Sequence, residues 1–204
     1  TAAFTLYLTR AYQPWNQTVG WGYTVNWPAD EKAKGTGAKG NEGVSQAVLQ
    51  TPYSIGYVEF AYWAKNKDKY DRVGGVAFIR NDNDGMYYFP TAENVAMGAA
   101  AGLERYTRKY GAKPAPDADW NPVSIEFTNP PRGYPILSFV YVFLWKDYAA
   151  EGYGDAATKA ALLKEFFKWV LTEGQKQDNV VEGYIPLPSE VAKIGLEALN
   201  HIKP

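Results

Sequence analysis

The sequence predicts an α/β chain built around a mixed sheet. Apolar residues recur at helical spacing in several segments, short runs rich in Val, Ile, Tyr and Phe lie between them, and Gly, Pro and Asn clusters punctuate the joins. Phe4, Tyr7, Leu8 and Ala11 predict a helix over Thr1–Tyr12, which Pro14, Asn16 and Gly20 then interrupt. Tyr23–Trp27 reads as a short strand and Pro28–Gly40 as a polar loop. Asn41 is a suitable N-cap for a helix presenting Val44, Ala47 and Val48 and ending near Thr51-Pro52, and Ser54–Glu59 reads as the following strand.

Val73–Arg80 and Met86–Phe89 flank Asn81-Asp82-Asn83-Asp84-Gly85, a turn composition that predicts a β-hairpin. Thr91 caps an Ala-rich helix to about Tyr110, with Glu93 near its start and Arg105, Arg108 and Lys109 near its end, as the helix dipole favours. Val123–Phe127 reads as a strand. After the breaker Asn129–Gly133, Ile136–Leu144 is apolar on both faces and is expected in the middle of a covered sheet. Leu163, Phe166, Phe167 and Val170 mark a helix from Ala156 to Gly174. An extended piece, Tyr184–Leu187, leads into a last helix over Ser189–Ile202 that shows Val191, Ile194, Ala198 and Ile202 on one face.

Composition narrows the function classes. The chain has 204 residues, 46% apolar, enough to bury a core. Its 21 basic and 22 acidic residues give a formal charge of −1, so no basic field is present to hold nucleic acid. Without cysteine there is no thiolate ligand or nucleophile, and a single histidine, His201, is too little for a typical zinc site or a serine–histidine pair. The longest apolar run, Pro135–Trp145, is about half of what a membrane-crossing helix needs. Residues 1–10 carry no leader pattern, so any leader or true N-terminus is expected upstream.

Several motifs reduce to structural readings. Gly35-Thr36-Gly37-Ala38-Lys39-Gly40 matches a dinucleotide-binding string, but Asp30–Lys34 before it is not an apolar strand, and Asn41 stands where a phosphate loop has lysine. Asp82 and Asp84 precede Gly85 as in a calcium loop, yet Arg80 and Thr91 occupy its first and last ligand positions, which leaves a turn. Asn16-Gln17-Thr18 is a glycosylation sequon in an expected surface loop. Glu42 and Glu59 could pair as carboxylates, although an acid at Glu42 already suits a helix start.

Lys39-Gly40-Asn41-Glu42-Gly43-Val44 followed by Thr51-Pro52-Tyr53-Ser54-Ile55-Gly56-Tyr57-Val58-Glu59-Phe60-Ala61-Tyr62 resembles a signature of the phosphate-binding proteins that feed phosphate ABC importers. Val25–Pro28, Tyr134–Ile136 and Phe166–Trp169 through Glu173-Gly174 to Tyr184–Pro188 agree in the same order. The resemblance implies a type II periplasmic-binding-protein-like fold of two lobes with mixed sheets, the first lobe incomplete in this chain. Residues 1–130 would form most of the second lobe, and residues 131–204 would cross and return into the first.

The resemblance further implies capture of inorganic phosphate for a membrane ABC permease, without an enzymatic step, cofactor or metal. It places the protein in the periplasm or outside the cell, with membrane anchoring through an upstream segment. In that family the oxyanion is held by helix N-termini, hydroxyls, an arginine and a carboxylate. Most of these come from residues before this chain, so Thr1 is the one candidate phosphate contact. Arg132-Gly133 departs from the acidic residue and alanine often found there. Without the upstream N-terminal segment, Ile136–Leu144 and the last two helices are expected to expose apolar surface, at roughly 25 cal/mol per Å². A surface structural or interaction protein that keeps the fold and has lost the phosphate site is the alternative.

Overall fold

The computed structural model describes residues 1–204, and its frame is about half helical. Helix α1 spans Ala2–Ala11, α2 Gln13–Thr18, α3 Pro28–Glu31, α4 Gly40–Gln50, α5 Phe60–Ala64 and α6 Lys67–Tyr70. A hairpin follows, of β1 (Ile79–Arg80) and β2 (Tyr87–Tyr88). Then come α7 (Ala92–Tyr110), α8 (Trp120–Phe127), α9 (Ala156–Leu171) and α10 (Ser189–Ala198). No helix is long and apolar enough to cross a membrane.

The hairpin forms around the expected turn: Ile79 pairs with Tyr88 and Arg80 with Tyr87, antiparallel. Asp84 Oδ1 accepts from the Met86 N–H and Asp84 Oδ2 from the Tyr88 hydroxyl, while Asp82 pairs with Arg80, so both acids are taken up within the turn. Helix α7 matches its expected span. Thr91 Oγ1 accepts from the Asn94 N–H at its start, and Gly111, at φ 80°, ends it in the left-handed region that glycine tolerates. Helices α9 and α10 also form where expected; each closes early and passes into a 3₁₀ turn, Glu173–Gln175 and Leu199–His201.

The sheet is smaller than the mixed sheets expected from the sequence: it has two strands. Tyr23–Trp27, Ser54–Glu59, Ile136–Leu144 and Tyr184–Leu187 lie outside any ladder. The strand expected at Val123–Phe127 is instead part of α8. Asp119 Oδ1 caps that helix by accepting from the Asn121 N–H, and Pro122 falls within the first turn, where its missing N–H costs nothing. Four-residue spacing then carries Val123 and Phe127 onto α7, where both are buried. Two further corrections concern helices. Asn41 does not cap α4, whose N-cap is Lys39, and the glycosylation sequon lies within α2 rather than in a loop.

Two apolar clusters form the interior. The first joins Ala99 and Leu103 of α7, Val123 and Phe127 of α8, Leu137, and Val191 and Ile194 of α10. The second joins Tyr148, Ala156, Ala160, Leu199 and Ile202. Helix α10 joins the first directly and reaches the second through Leu196, which packs against it, and through the following turn, which supplies Leu199. Phe127 and Phe139 meet edge to face at 4.6 Å, which seats the start of the 136–144 segment on the first cluster.

Glu126 is buried beside this cluster. Lys109 Nζ is 2.7 Å from its Oε1 and Arg105 Nε 2.9 Å from its Oε2. Burial works to raise the Glu126 carboxyl, but the Lys109 hydrogen bond and the charges of Arg105, Lys109 and Arg10 hold it below the usual carboxylate range. A depressed folded pKa means that this contribution is fully present above the unfolded value of about 4.3 and is lost as pH falls through the folded value. Glu126→Gln is expected to lower stability by about 1–3 kcal/mol at pH 7, with the deficit shrinking below pH 4, in urea denaturation across a pH series.

Close packing gives a second prediction. A Cβ at Gly102 would lie 2.8 Å from Phe127 Cδ1 and 2.9 Å from its Cα, whereas one at Gly154 would meet open space. Gly102→Ala is expected to cost about 1–3 kcal/mol and Gly154→Ala to be within about 0.5 kcal/mol of neutral, read from the same denaturation midpoints.

Candidate functional site

Two of the stretches singled out in the sequence, through Trp27 and Tyr57, meet at the N-terminus of α1. Thr1 is the N-cap of α1, but its side chain makes no capping hydrogen bond. Its hydroxyl lies 2.8 Å from the Tyr57 hydroxyl. The N–H groups of a first helical turn have no intrahelical acceptor, and the dipole concentrates positive potential there. The Thr1 and Tyr57 hydroxyls thus lie together at this helix end.

Local sequence explains the arrangement. Thr5, fully buried one turn into α1, accepts from the Gly22 N–H at 3.2 Å and lies 3.2 Å from the carbonyls of Thr1, Ala2 and Gly22. This pins the helix start to the chain at Gly22. Phe4 stacks on Tyr57 with ring centroids 4.7 Å apart, Trp27 lies 5.7 Å from Tyr57, and Trp15 lies 5.6 Å from Trp27. The aromatic stack fixes Tyr57, so its hydroxyl is held against Thr1.

Tyr57 is placed from its other side by α4 and the strand-like stretch after it. The Asn41 side-chain carbonyl accepts from the Glu59 N–H at 3.1 Å, which is what Asn41 does instead of capping α4. A Cβ on Gly56 would come within 2.9 Å of Val44 and 2.7 Å of Val48, so only glycine lets residues 54–59 lie this close to α4. The Ser54 hydroxyl donates to the Thr51 carbonyl at 2.7 Å and closes the turn out of α4. The Gly40–Val44 and Thr51–Tyr62 stretches thus form one packed unit whose product, at this site, is the position of Tyr57.

Of the residues expected from the sequence, Thr1 lies at this helix end. Tyr57, Phe4, Trp27 and Thr5 were not singled out as site residues. The available signal was that Trp27 and Tyr57 belong to two of the distinctive stretches, and long-range contact between them is invisible to spacing. The glycine string Gly35–Gly40 follows the helical turn α3, not a strand. His201 is exposed, in a cleft of about 460 Å³ between Lys113–Pro116 and α10. There Lys113 and Lys193 both pair with Glu190 and hold its carboxyl at about 2.

Tyr57→Phe is expected to keep the aromatic stack and the fold while freeing the Thr1 hydroxyl. Trp27→Ala should loosen the helix end itself. Thermal melts unchanged for the first variant and lowered by several degrees for the second would agree with this division.

Comparison with known proteins bears on what this helix end does. The model of the PBP superfamily domain matches residues 1–173. The phosphate-binding protein PstS of Methanocaldococcus jannaschii is 36% identical over 205 aligned residues, covering 100% of this chain and 49% of the relative. The protein of the same name from Xylella fastidiosa strain 9a5c is 34% identical over 198 residues, 95% of this chain and 45% of its own length. That of Haemophilus influenzae is 30% identical over 194 residues, 94% and 48%. The chain spans about half the length of these relatives. With a family match over residues 1–173, well over half of its length, the chain belongs to the PBP superfamily.

Proposed function

We propose that this chain is part of an extracytoplasmic solute-binding protein that captures inorganic phosphate for an ABC importer. The observation that carries the reading is the alignment of proteins named as phosphate-binding with 94–100% of the chain at 30–36% identity. The uncapped α1 helix end agrees with it: a dense oxyanion is well served by free N–H donors, a helix dipole and neighbouring hydroxyls. Thr1 is assigned as a phosphate contact, and the remaining donors are assigned to the part of the protein upstream of it. Capture and release make no covalent bond, so the reading requires neither a cofactor nor a catalytic group.

In the type II, two-lobed layout, residues 1–130 form most of the second lobe, and residues 131–204 cross and return into the first. The 136–145 segment supports this layout, since it makes no backbone–backbone hydrogen bond. Val140 is 75% exposed and Phe143 93%, and Phe166 and Trp169 of α9 are also exposed. A segment with apolar side chains and unpaired amides is a strand awaiting neighbours. Strands of the upstream segment are the assigned neighbours, and the membrane permease is the partner that receives the phosphate. The protein then works in the periplasm or at the outer cell surface, anchored through its upstream part where the membrane holds it.

Calorimetric titration of the complete protein with inorganic phosphate tests the reading. One-site binding is expected, weakened about three- to thirtyfold by Thr1→Ala, the loss of roughly one charge-assisted hydrogen bond. Silence with the upstream half present would overturn it in favour of a surface protein that keeps the fold without the site.

A further inference from the structure

The segment between the two proposed lobes is held by side chains to an unusual degree. Asn81, fully buried in the hairpin turn, donates both amide hydrogens, to the Pro130 and Gly133 carbonyls, each at 2.9 Å. Its Oδ1 accepts from the Asn83 N–H at 2.9 Å, which fixes the amide's orientation. Asn83 in turn donates to the Asn129 and Pro130 carbonyls, again at 2.9 Å. From the opposite side, Arg10 donates to the Thr128 carbonyl at 2.6 Å, and Arg105 to the Asn129 and Thr128 carbonyls at 2.7 and 2.9 Å. Two asparagines and two arginines, from the hairpin, α1 and α7, thus satisfy four carbonyls of residues 128–133.

The backbone amides close the same unit. The Asn129 N–H donates to the Pro135 carbonyl at 2.8 Å and the Tyr134 N–H to the Asn94 carbonyl at 2.9 Å. Gly133, at φ 86°, lies so close to α7 that a Cβ would stand 2.4 Å from the Gly98 nitrogen; one on Gly98 would stand 2.7 Å from the Tyr134 carbonyl oxygen. Pro130, Pro131 and Pro135 restrict φ along the stretch. Beyond Pro135 the pattern ends abruptly, as no backbone–backbone hydrogen bond involves residues 136–145.

We infer that residues 128–135 are a fixed part of the body formed by α1, the hairpin, α7 and α8, and that bending of the two-lobed protein on ligand capture takes place outside this stretch. Asn81, Asn83, Arg10 and Arg105 are positioning residues that hold the stretch to that body. The inference rests on the two-lobed reading for its bending, but not for the clamp. A hinge needs backbone that can change φ and ψ without orphaning buried polar groups, and the clamped stretch would orphan several at once.

Site-resolved amide exchange by NMR on the complete protein, with and without inorganic phosphate, tests this. The Asn129 and Tyr134 amides are expected to be strongly protected and to change by less than about twofold on adding phosphate. Asn83→Asp, which keeps the size but loses the donor, is expected to speed exchange at Asn129 and Tyr134 by about fivefold or more. Fast exchange at these two amides without phosphate, or a phosphate-dependent change there well above twofold, would overturn the clamp. If calorimetry shows no phosphate binding, the transport reading fails separately, and protection at Asn129 and Tyr134 in the unliganded protein alone decides the clamp. If Asn83→Asp does not fold, the wild-type exchange pattern decides it.

Discussion

The close approach of α7 to the chain that follows it is the constraint on which the rest of the structure depends. Gly98 and Gly102, one turn apart on the same helix, admit the Tyr134 carbonyl and the Phe127 ring at distances no side chain would allow. Once the backbones are that close, the polar groups of residues 126–134 are shut away from water and must find partners. Arg105, a turn beyond Gly102, supplies several of them. The small residues create the problem and the arginine resolves it, so the Ala- and Gly-rich composition of α7 and its interior cation are one design. Arg105 remains charged there because the Glu126 carboxylate and the carbonyls of Glu126, Thr128 and Asn129 surround it, which is what makes a largely shielded guanidinium tolerable.

The sequence made α7 legible from cap to C-terminus because every signal agreed: Thr91 at the start, apolar spacing within and Gly111 at the end. The hairpin was equally clear, since its turn residues have few other uses. Helix α8 was misread because Val-Ser-Ile-Glu-Phe alternates as a strand would, and the decisive signals lie outside it, in the Asp119 cap and in the arginine and lysine that neutralise Glu126 from α7. Local pattern favoured one structure and tertiary charge pairing the other. Arg105 illustrates the same limit: its position near a helix end suggested a dipole contact, and its role is to satisfy a neighbouring chain.

Strand pairing was the least legible feature. Ile136–Leu144 has every compositional mark of a central strand, yet a strand is a relation between segments, and its partners are absent from its own sequence. Thr1 was placed from motif order. Its surroundings are built by Tyr57, Phe4, Trp27 and Thr5, and the Thr1–Tyr57 contact joins residues 56 positions apart. The Gly56 contact with Val44 and Val48 shows how two distinctive stretches become one unit, a point that spacing alone does not reveal.

The proposed phosphate contact at Thr1 and the proposed pairing of residues 136–144 both depend on the part of the protein upstream of this chain. A crystal structure of the complete protein with phosphate tests that dependence most directly. The account predicts phosphate within hydrogen-bond distance of Thr1 at the start of α1, and residues 136–144 in a ladder with strands encoded upstream. Phosphate bound away from α1, or residues 136–144 still unpaired in the complete protein, would contradict it.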